Sequence, residues 1–331
     1  MKNDVLNQYE AVHNRVGWRD LSGRGKVRIT GPDRVTFLHA MISNEVEGLE
    51  DEEGRQGTFL KATGKIIADF YYYRFSGFLL IDVADALRTQ LVTELQKYII
   101  MDDVELDDVS QEFEHHSLEG PKASELLRAI LNQDAPSDRF EVRTVLWRGE
   151  NLWWIRKDEL TDRGFEIIVP VVCSSEFRDE LTAKGTSFRL QEIGPAAYDL
   201  LRLEKGIPLF GVDFTSKNNP IEARLKEAYS LTKGCYVGQE VVSKATRVGS
   251  VPKALVRLKI VGRAVPAAGS TLVTQDGQEI GRITSAVFSP VLEDSIALAL
   301  VKKGFWTPGD IYWVTIPSAE TQAVEVVESF F

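Results

Sequence analysis

Gly31-Pro-Asp-Arg-Val-Thr-Phe-Leu-His-Ala-Met41 returns, without a gap, as Gly120-Pro-Lys-Ala-Ser-Glu-Leu-Leu-Arg-Ala-Ile130. Gly, Pro, Leu and Ala fall at matching places in the two copies. Ahead of the first, Lys26-Val-Arg-Ile-Thr30 alternates polar and apolar residues as a half-buried strand does. Gly31-Pro32 stops it. A proline in the first turn of a helix removes no hydrogen bond, since that N–H has no intrahelical partner. Val35, Phe37, Leu38, Met41 and Ile42 then recur at helical spacing. A strand also precedes the second copy. Strand, Gly-Pro stop and helix, each time followed by more strands, point to two related α/β halves.

Outward from these copies the pattern continues. Residues before the first strand form an N-terminal lead. Between the copies, 56–60 and 65–75 read as strands joined by a hairpin turn at Thr63-Gly64, the second rich in aromatics (Phe70, Tyr71, Tyr72, Tyr73, Phe75). A strand at 78–83 follows. Then comes an amphipathic helix over 86–99 with Leu87, Leu91, Leu95 and Tyr98 on one face, and a strand at 104–109. After the second copy, strands are expected near 140–147, 152–155 and 165–170, with helices over 174–183 and 194–205. From about Arg247 onward no helical period appears. Short β runs (254–260, 271–274, 281–287, 296–301, 311–316) alternate with turns, the spacing of a small all-β sandwich or barrel of roughly 80 residues.

The chain has 331 residues, enough for two or three domains, and is 44% hydrophobic and 27% charged, as globular proteins are. No run approaches the roughly 20 apolar residues of a membrane helix. The N-terminus lacks an apolar signal region, so a reducing cytoplasm is expected. Two cysteines, Cys173 and Cys235, make neither a disulfide framework nor a four-cysteine zinc site. A formal net charge of −10 argues against bulk nucleic-acid binding. Acidic runs at 45–53 and 102–108 read as solvated turns, without the glycine-punctuated spacing of a calcium loop. From Lys226 to Lys259 the balance reverses, with seven Lys/Arg against Glu227 and Glu240.

In that basic segment lies Leu231-Thr-Lys-Gly-Cys-Tyr-Val-Gly-Gln-Glu-Val-Val-Ser243. Gly234 and Gly238 bracket Cys235, and Lys233 is a flanking cation of the kind that favours thiolate. A nucleophilic cysteine wants an activating histidine. His13, His39, His115 and His116 are all distant in sequence and read as structural. Asp69 sits inside the aromatic strand; periodicity alone places it on an outward, half-exposed face, whereas a buried carboxylate would need a partner and would have a raised pKa. Glu204, at a helix end, pairs with a lysine in the plainest interpretation. No glycine-rich phosphate loop follows a strand.

These pieces together resemble a family. Lys233-Gly234-Cys235-Tyr236-Val-Gly238-Gln239-Glu240 is similar to the signature of YgfZ-type folate-binding proteins, relatives of the glycine-cleavage T-protein, an aminomethyltransferase. Residues 27–44, Ala62-Thr-Gly-Lys-Ile-Ile-Ala-Asp69, Gly120-Pro-Lys-Ala123, Arg202-Leu-Glu-Lys-Gly-Ile-Pro208, Gly211-Val-Asp213, Gly281-Arg-Ile-Thr-Ser285 and Ser289-Pro290 extend the resemblance along nearly the whole chain. It implies an α+β fold: two intertwined ferredoxin-like subdomains forming a folate-binding body over 1–245, and an antiparallel β-barrel over 246–331. It further implies tetrahydrofolate as cofactor, with Asp69 facing its reactive nitrogens and Glu204 holding the pterin. Adjacent N–H donors on the pterin edge suit a carboxylate. Tyr71 and its aromatic neighbours would wall the ring. Lys253 stands where the family has a folate-contacting arginine, keeping the charge without the planar fork.

The resemblance puts first a tetrahydrofolate-binding, YgfZ-like protein that supports iron–sulfur enzyme assembly or repair, with Cys235 as its thiol. Some YgfZ-type proteins lack the aspartate that this chain keeps. The alternative is therefore a true aminomethyltransferase, with Asp69 catalytic, Cys235 incidental and a lipoyl carrier protein as partner. A non-catalytic scaffold ranks last.

Overall fold

The computed structural model describes residues 3–248, 251–314 and 321–327. In chain order the elements are α1 (Asn3–Asn14), β1 (Gly17–Asp20), β2 (Gly25–Thr30), α2 (Arg34–Met41), β3 (Gly54–Leu60), β4 (Ile66–Arg74), β5 (Leu79–Val83), α3 (Asp85–Gln96) and β6 (Glu105–Asp108). The second series follows: β7 (Phe113–Glu119), α4 (Ala123–Leu131), β8 (Val142–Trp147), β9 (Glu150–Arg156), β10 (Gly164–Pro170), α5 (Val171–Phe188) and β11 (Gln191–Glu192). Then come α6 (Pro195–Lys205), α7 (Gln239–Val248), β12 (Lys253–Ile260), β13 (Thr271–Val273), β14 (Glu279–Ser289), β15 (Asp294–Lys302), β16 (Ile311–Val314) and β17 (Gln322–Val327).

The duplication is real at the level of topology. Both series run strand, helix, three strands, helix, strand. One sheet has the order β3-β4-β5-β2-β6; the other has β8-β9-β10-β7-β1-β11, the same order with β1 inserted. That insertion intertwines the halves, because a strand from the chain's start pairs antiparallel with β7 and parallel with β11. The Gly-Pro stops are physically required. Gly31 and Gly120 adopt φ of +95° and +116°, and a Cβ would meet the carbonyl oxygens of Asp103 and Val12 at 2.0 and 2.6 Å. Each helix begins three residues after its glycine, so Pro32 precedes α2 rather than occupying its first turn.

By Cα proximity the chain forms two compact units. The first comprises Met1–Phe59, Ile67–Ala197 and Glu227–Val237; the second comprises Leu60–Ile66, Tyr198–Lys226 and Gly238–Phe331. In the first, α4 and α5 cover one face of the second-series sheet through Leu126, Leu127, Ile130, Phe177 and Leu181 against Leu118, Trp154 and Ile167. Its other face packs on the first-series sheet, where Tyr73, Phe75 and Leu80 meet Trp153, Ile155 and Ile168. Burying each such side chain contributes on the order of 1.5–3 kcal/mol. In the second unit, β12-β15-β14-β13-β16-β17 close into a barrel, settling the sandwich-or-barrel question. Val256, Leu258, Leu272, Ile283, Ala299 and Val314 fill it.

Five of the helices and strands named above escape the sequence patterns. The lead contains α1 and β1; β11 follows α5; the end of the signature opens α7; β17 completes the barrel. The run at 311–316 is a strand to Val314, and its last two residues lie outside the described ones. Tyr98 lies past the end of α3 and is exposed, while Leu87, Leu91 and Leu95 are buried as expected.

Candidate functional site

Asp69, Tyr71 and Tyr73 alternate on β4, so they share the face that meets the second sheet. The outward position expected from periodicity is therefore wrong in direction. Both faces of this sheet are covered, and alternation cannot tell a helix-covered face from a sheet-covered one. Asp69 keeps part of its surface accessible yet is recessed. Burial raises its carboxyl above the usual range, with Arg24 opposing. Among the described residues, no side chain hydrogen-bonds to it. Phe70, Tyr72, Tyr73 and Phe75 are buried in the core, leaving Tyr71 as the half-buried aromatic beside Asp69. One face of the Tyr71 ring carries the Lys157 ammonium, 3.0 Å from the ring centroid.

Around this face lies a buried polar network. Lys26 Nζ reaches Asp82 at 3.0 Å, and Arg24 Nε donates to both Asp82 carboxylate oxygens at 2.9 and 3.0 Å. From the second sheet side, Lys157 Nζ donates to Glu166 at 3.2 Å and to the Tyr73 hydroxyl at 3.0 Å. His115 Nε2 stands 3.2 Å from Glu166. Burial pushes the two carboxylates up, but the cations outweigh it: Arg24 and Lys26 hold Asp82 well below the usual range, and Lys157 and His115 hold Glu166 at about 2. Removing one partner from such a set is strongly destabilising, because the other charge stays buried. None of these groups carried a local motif. The one available signal was a lone Asp82 inside the apolar run Leu79-Leu80-Ile81-Asp82-Val83.

The signature divides in two. Lys233 is buried, and its ammonium donates to the carbonyl oxygens of His39 (2.5 Å), Ile42 (2.7 Å) and Asn44 (2.9 Å) at the C-terminal end of α2. A cation suits the negative end of the helix dipole. Burial pulls its pKa down to about 8. Lys233 thus anchors the loop instead of serving as the thiolate-favouring neighbour expected of it. Tyr236 is also buried, with Lys233 Nζ 5.1 Å from its ring centroid. Gly234 and Cys235, between these anchors, are exposed. Among the described residues, nothing hydrogen-bonds to the Cys235 thiol. The His39 imidazole is occupied elsewhere, its Nδ1 accepting the Val46 amide at 3.3 Å.

The other half of the signature, with Gly238 at φ +81°, lies in the second unit with the hairpin tip that leads into Asp69. A Cβ at Gly238 would stand 2.7 Å from the Lys61 carbonyl oxygen, and one at Gly64 would stand 2.6 Å from Val241 Cβ. Gln239 and Glu240 open α7 directly behind this contact. Two motifs that are separate in sequence, 62–69 and 233–240, are therefore joined through their glycines. Glu204, in the last turn of α6, accepts the Ser289 hydroxyl at 2.5 Å, and its backbone carbonyl accepts Arg257 Nη1 at 3.0 Å. Lys253 lines a 460 Å³ groove with Val212, Arg282 and Lys302. No cluster of metal-ligating side chains occurs among the described residues, and no helix there is long and apolar enough to cross a membrane.

Two interlocked sheets, a closed barrel and a recessed carboxylate on a glycine-tipped hairpin define an α/β body with a barrel of the glycine-cleavage T-protein type. The family models agree: the GCVT N-terminal domain matches residues 1–233, and the glycine cleavage T-protein C-terminal barrel domain matches 253–331. An aminomethyltransferase of Chlorobium luteolum is 30% identical over 94% of this chain and 86% of its own length. One from Caldanaerobacter subterraneus subsp. tengcongensis is 28% identical over 99% and 88%. The crystal structure of the glycine cleavage system aminomethyltransferase T from Bartonella henselae superposes with a TM-score of 0.88 at 22% identity, over 98% of this chain and 88% of that one; it speaks to fold alone. The chain belongs to the glycine-cleavage T-protein (GCVT) family. Tetrahydrofolate is the cofactor of that family's aminomethyltransferases.

Proposed function

We propose that this protein is a tetrahydrofolate-dependent aminomethyltransferase acting on a lipoyl carrier protein, with Asp69 as its catalytic carboxylate. The names of its full-length relatives reverse the order reached from the signature, which put iron–sulfur support first. The observation that carries the proposal is the Asp69 carboxylate itself, recessed, accessible and hydrogen-bonded by no side chain among the described residues. Such an acceptor fits the N–H donors of a reduced pterin, whereas an aspartate with only a structural role would have a donor of its own. When bound, tetrahydrofolate supplies the nitrogens that take up the one-carbon unit. Asp69 accepts a hydrogen bond from N–H at that position, and burial raises its affinity for the proton displaced there. Tyr71, on the same face of β4 as Asp69, is the aromatic wall for the ring; the roles of Glu204 on the pterin and of Lys253 on the folate's carboxylates rest on the family resemblance alone.

One feature favours a second role. Lys233 and Tyr236 fix the loop on either side of an exposed Cys235 that aminomethyl transfer does not use. A YgfZ-like thiol function in iron–sulfur enzyme maintenance accounts for that construction. The experiment is turnover of an aminomethylated lipoyl carrier protein with tetrahydrofolate to methylenetetrahydrofolate. Activity abolished in Asp69→Asn and retained in Cys235→Ala supports the transferase. Wild-type protein that binds tetrahydrofolate yet never turns over the carrier overturns it.

A further inference from the structure

We propose that Arg24 is the positioning residue of Asp69, its guanidinium held in a fork by Asp82 so that one free edge confronts the Asp69 carboxylate across the inner face of the first sheet. The inference deepens the transferase proposal and rests on it for the meaning of Asp69, though not for the pairing itself.

Strand register puts the two residues in one row. Tyr71 on β4 pairs with Asp82 on β5, which pairs with Lys26 on β2. Phe70, Val83 and Gly25 form the next row. One step further along stand Asp69 on β4 and Arg24 just ahead of β2, two strands apart, or about 10 Å between backbones. By alternation both side chains lie on the face that carries Tyr71, Asp82 and Lys26. Arg24 Nε bonds both Asp82 oxygens, and Nη2 donates to the Asp82 carbonyl oxygen at 3.3 Å. Nη1 makes no hydrogen bond among the described residues, and about 29% of the side chain is accessible. No direct ion pair joins Arg24 to Asp69, so the interaction acts across the space between them.

The charge balance points the same way. Arg24 is the charged group set against Asp69 itself, and Tyr71 lies beside it on β4. Around Tyr71 and Asp82 on the same face stand Lys26 from β2 and, from the second-series side, His115, Glu166, Lys157 and Glu159. Lys26 and Lys157 each have a buried carboxylate, Asp82 and Glu166 respectively. Glu159 stands 3.6 Å from Arg19. Arg24 shares the carboxylate that Lys26 already neutralises, which leaves one cation in excess on this face. Of these carboxylates, Asp69 is the one with no ion pair among the described residues. Arg24 thus opposes the protonation of Asp69 that burial favours.

The test is a carbon-13 NMR pH titration of the Asp69 carboxyl in the full chain without ligand, assigned with Asp69→Asn. Arg24→Gln, which keeps a donor for Asp82, is expected to raise the Asp69 midpoint by about one pH unit, a tenfold change in proton affinity. Arg24→Lys, which keeps the charge but not the fork, is expected to move it by less than half as much. An unmoved midpoint in Arg24→Gln, or an equal rise in Arg24→Lys, overturns the assignment. In the transferase assay the acidic limb of the pH–rate profile should move upward with the NMR midpoint. A midpoint that shifts in a protein without turnover leaves the pairing intact and removes the transferase reading; turnover with an unmoved midpoint does the reverse.

Discussion

The two halves of the body share one topology and use it for opposite ends. In the second series, β8 and β9 are joined by the two-residue turn Arg148-Gly149, both at positive φ (+52° and +90°), the geometry of a tight type I′ hairpin. In the first series, β3 and β4 are joined by the longer tip at 61–65, whose Gly64 leaves no room for a Cβ beside Val241. The inward face of β9 is Trp153 and Ile155, packed aromatic and aliphatic side chains. The inward face of β4 is Asp69, Tyr71 and Tyr73, set in a network of charges. One hairpin is a packing element. The other gives up packing to hold a carboxylate that the fold leaves unsatisfied.

If that contrast is right, substitutions at corresponding places should fail in different ways. Asp69→Asn should lower turnover by about 10²–10⁴-fold while the melting temperature stays within a degree or two of wild type, as steady-state kinetics and calorimetry would report. Trp153→Ala, in the aromatic cluster with Phe75, Phe78 and Phe113, should instead cost about 3–5 kcal/mol in urea unfolding. Equal stability losses for the two would dissolve the distinction. The turns should separate next. Gly64→Ala combines a positive φ with a 2.6 Å clash and should destabilise by about 1–3 kcal/mol, weakening tetrahydrofolate binding by calorimetry as well. Gly149→Ala has open space around it, so only the conformational penalty of about 1 kcal/mol should remain, with folate binding unchanged.

Acid should distinguish the halves last. Burial lowers the His116 pKa to about 4, below the ordinary histidine value of 6.5, and its ring stacks on Phe177 in the second-series core. Above pH 6.5 the group is neutral in both folded and unfolded chains and has no effect. As pH falls from 6.5 towards 4, only the unfolded chain takes up the proton, so stability declines by at most about 1.4 kcal/mol per pH unit from this residue. Asp82, with its pKa depressed, withdraws stability only below the ordinary aspartate range. Buried Glu119, its carboxyl raised to about 8, adds stability over the same window, so the test is the difference: urea midpoints from pH 7 to 4.5 should change less favourably in wild type than in His116→Phe, and identical slopes would contradict the buried neutral imidazole.

Much of this was legible beforehand, and the illegible parts share a cause. The Gly-Pro repeat is readable because a strand followed at once by a helix forces a positive φ, and glycine advertises that locally. The hairpin tip and the long signature are readable for the same reason. Lys233 was misjudged because sequence adjacency to Cys235 hides where a long side chain ends, here on three carbonyls at a helix terminus almost two hundred residues away in the chain. β1 was missed because its four residues gain their identity only from partners around 116–119 and 191–192.

By itself the sequence determined the duplicated α/β body, the β-rich C-terminal third, the family and the glycines that shape both motifs, since each follows from local stereochemistry or from a long ungapped pattern. Tertiary structure alone decided that β1 would interlock the halves and that Asp69 would turn inward. It also decided that Arg24, Asp82, Lys157 and Glu166, from four separate strands or their ends, would surround that carboxylate's face of the sheet. The reason is physical: which side of a strand is buried, and against what, depends on a second sheet that no local pattern encodes.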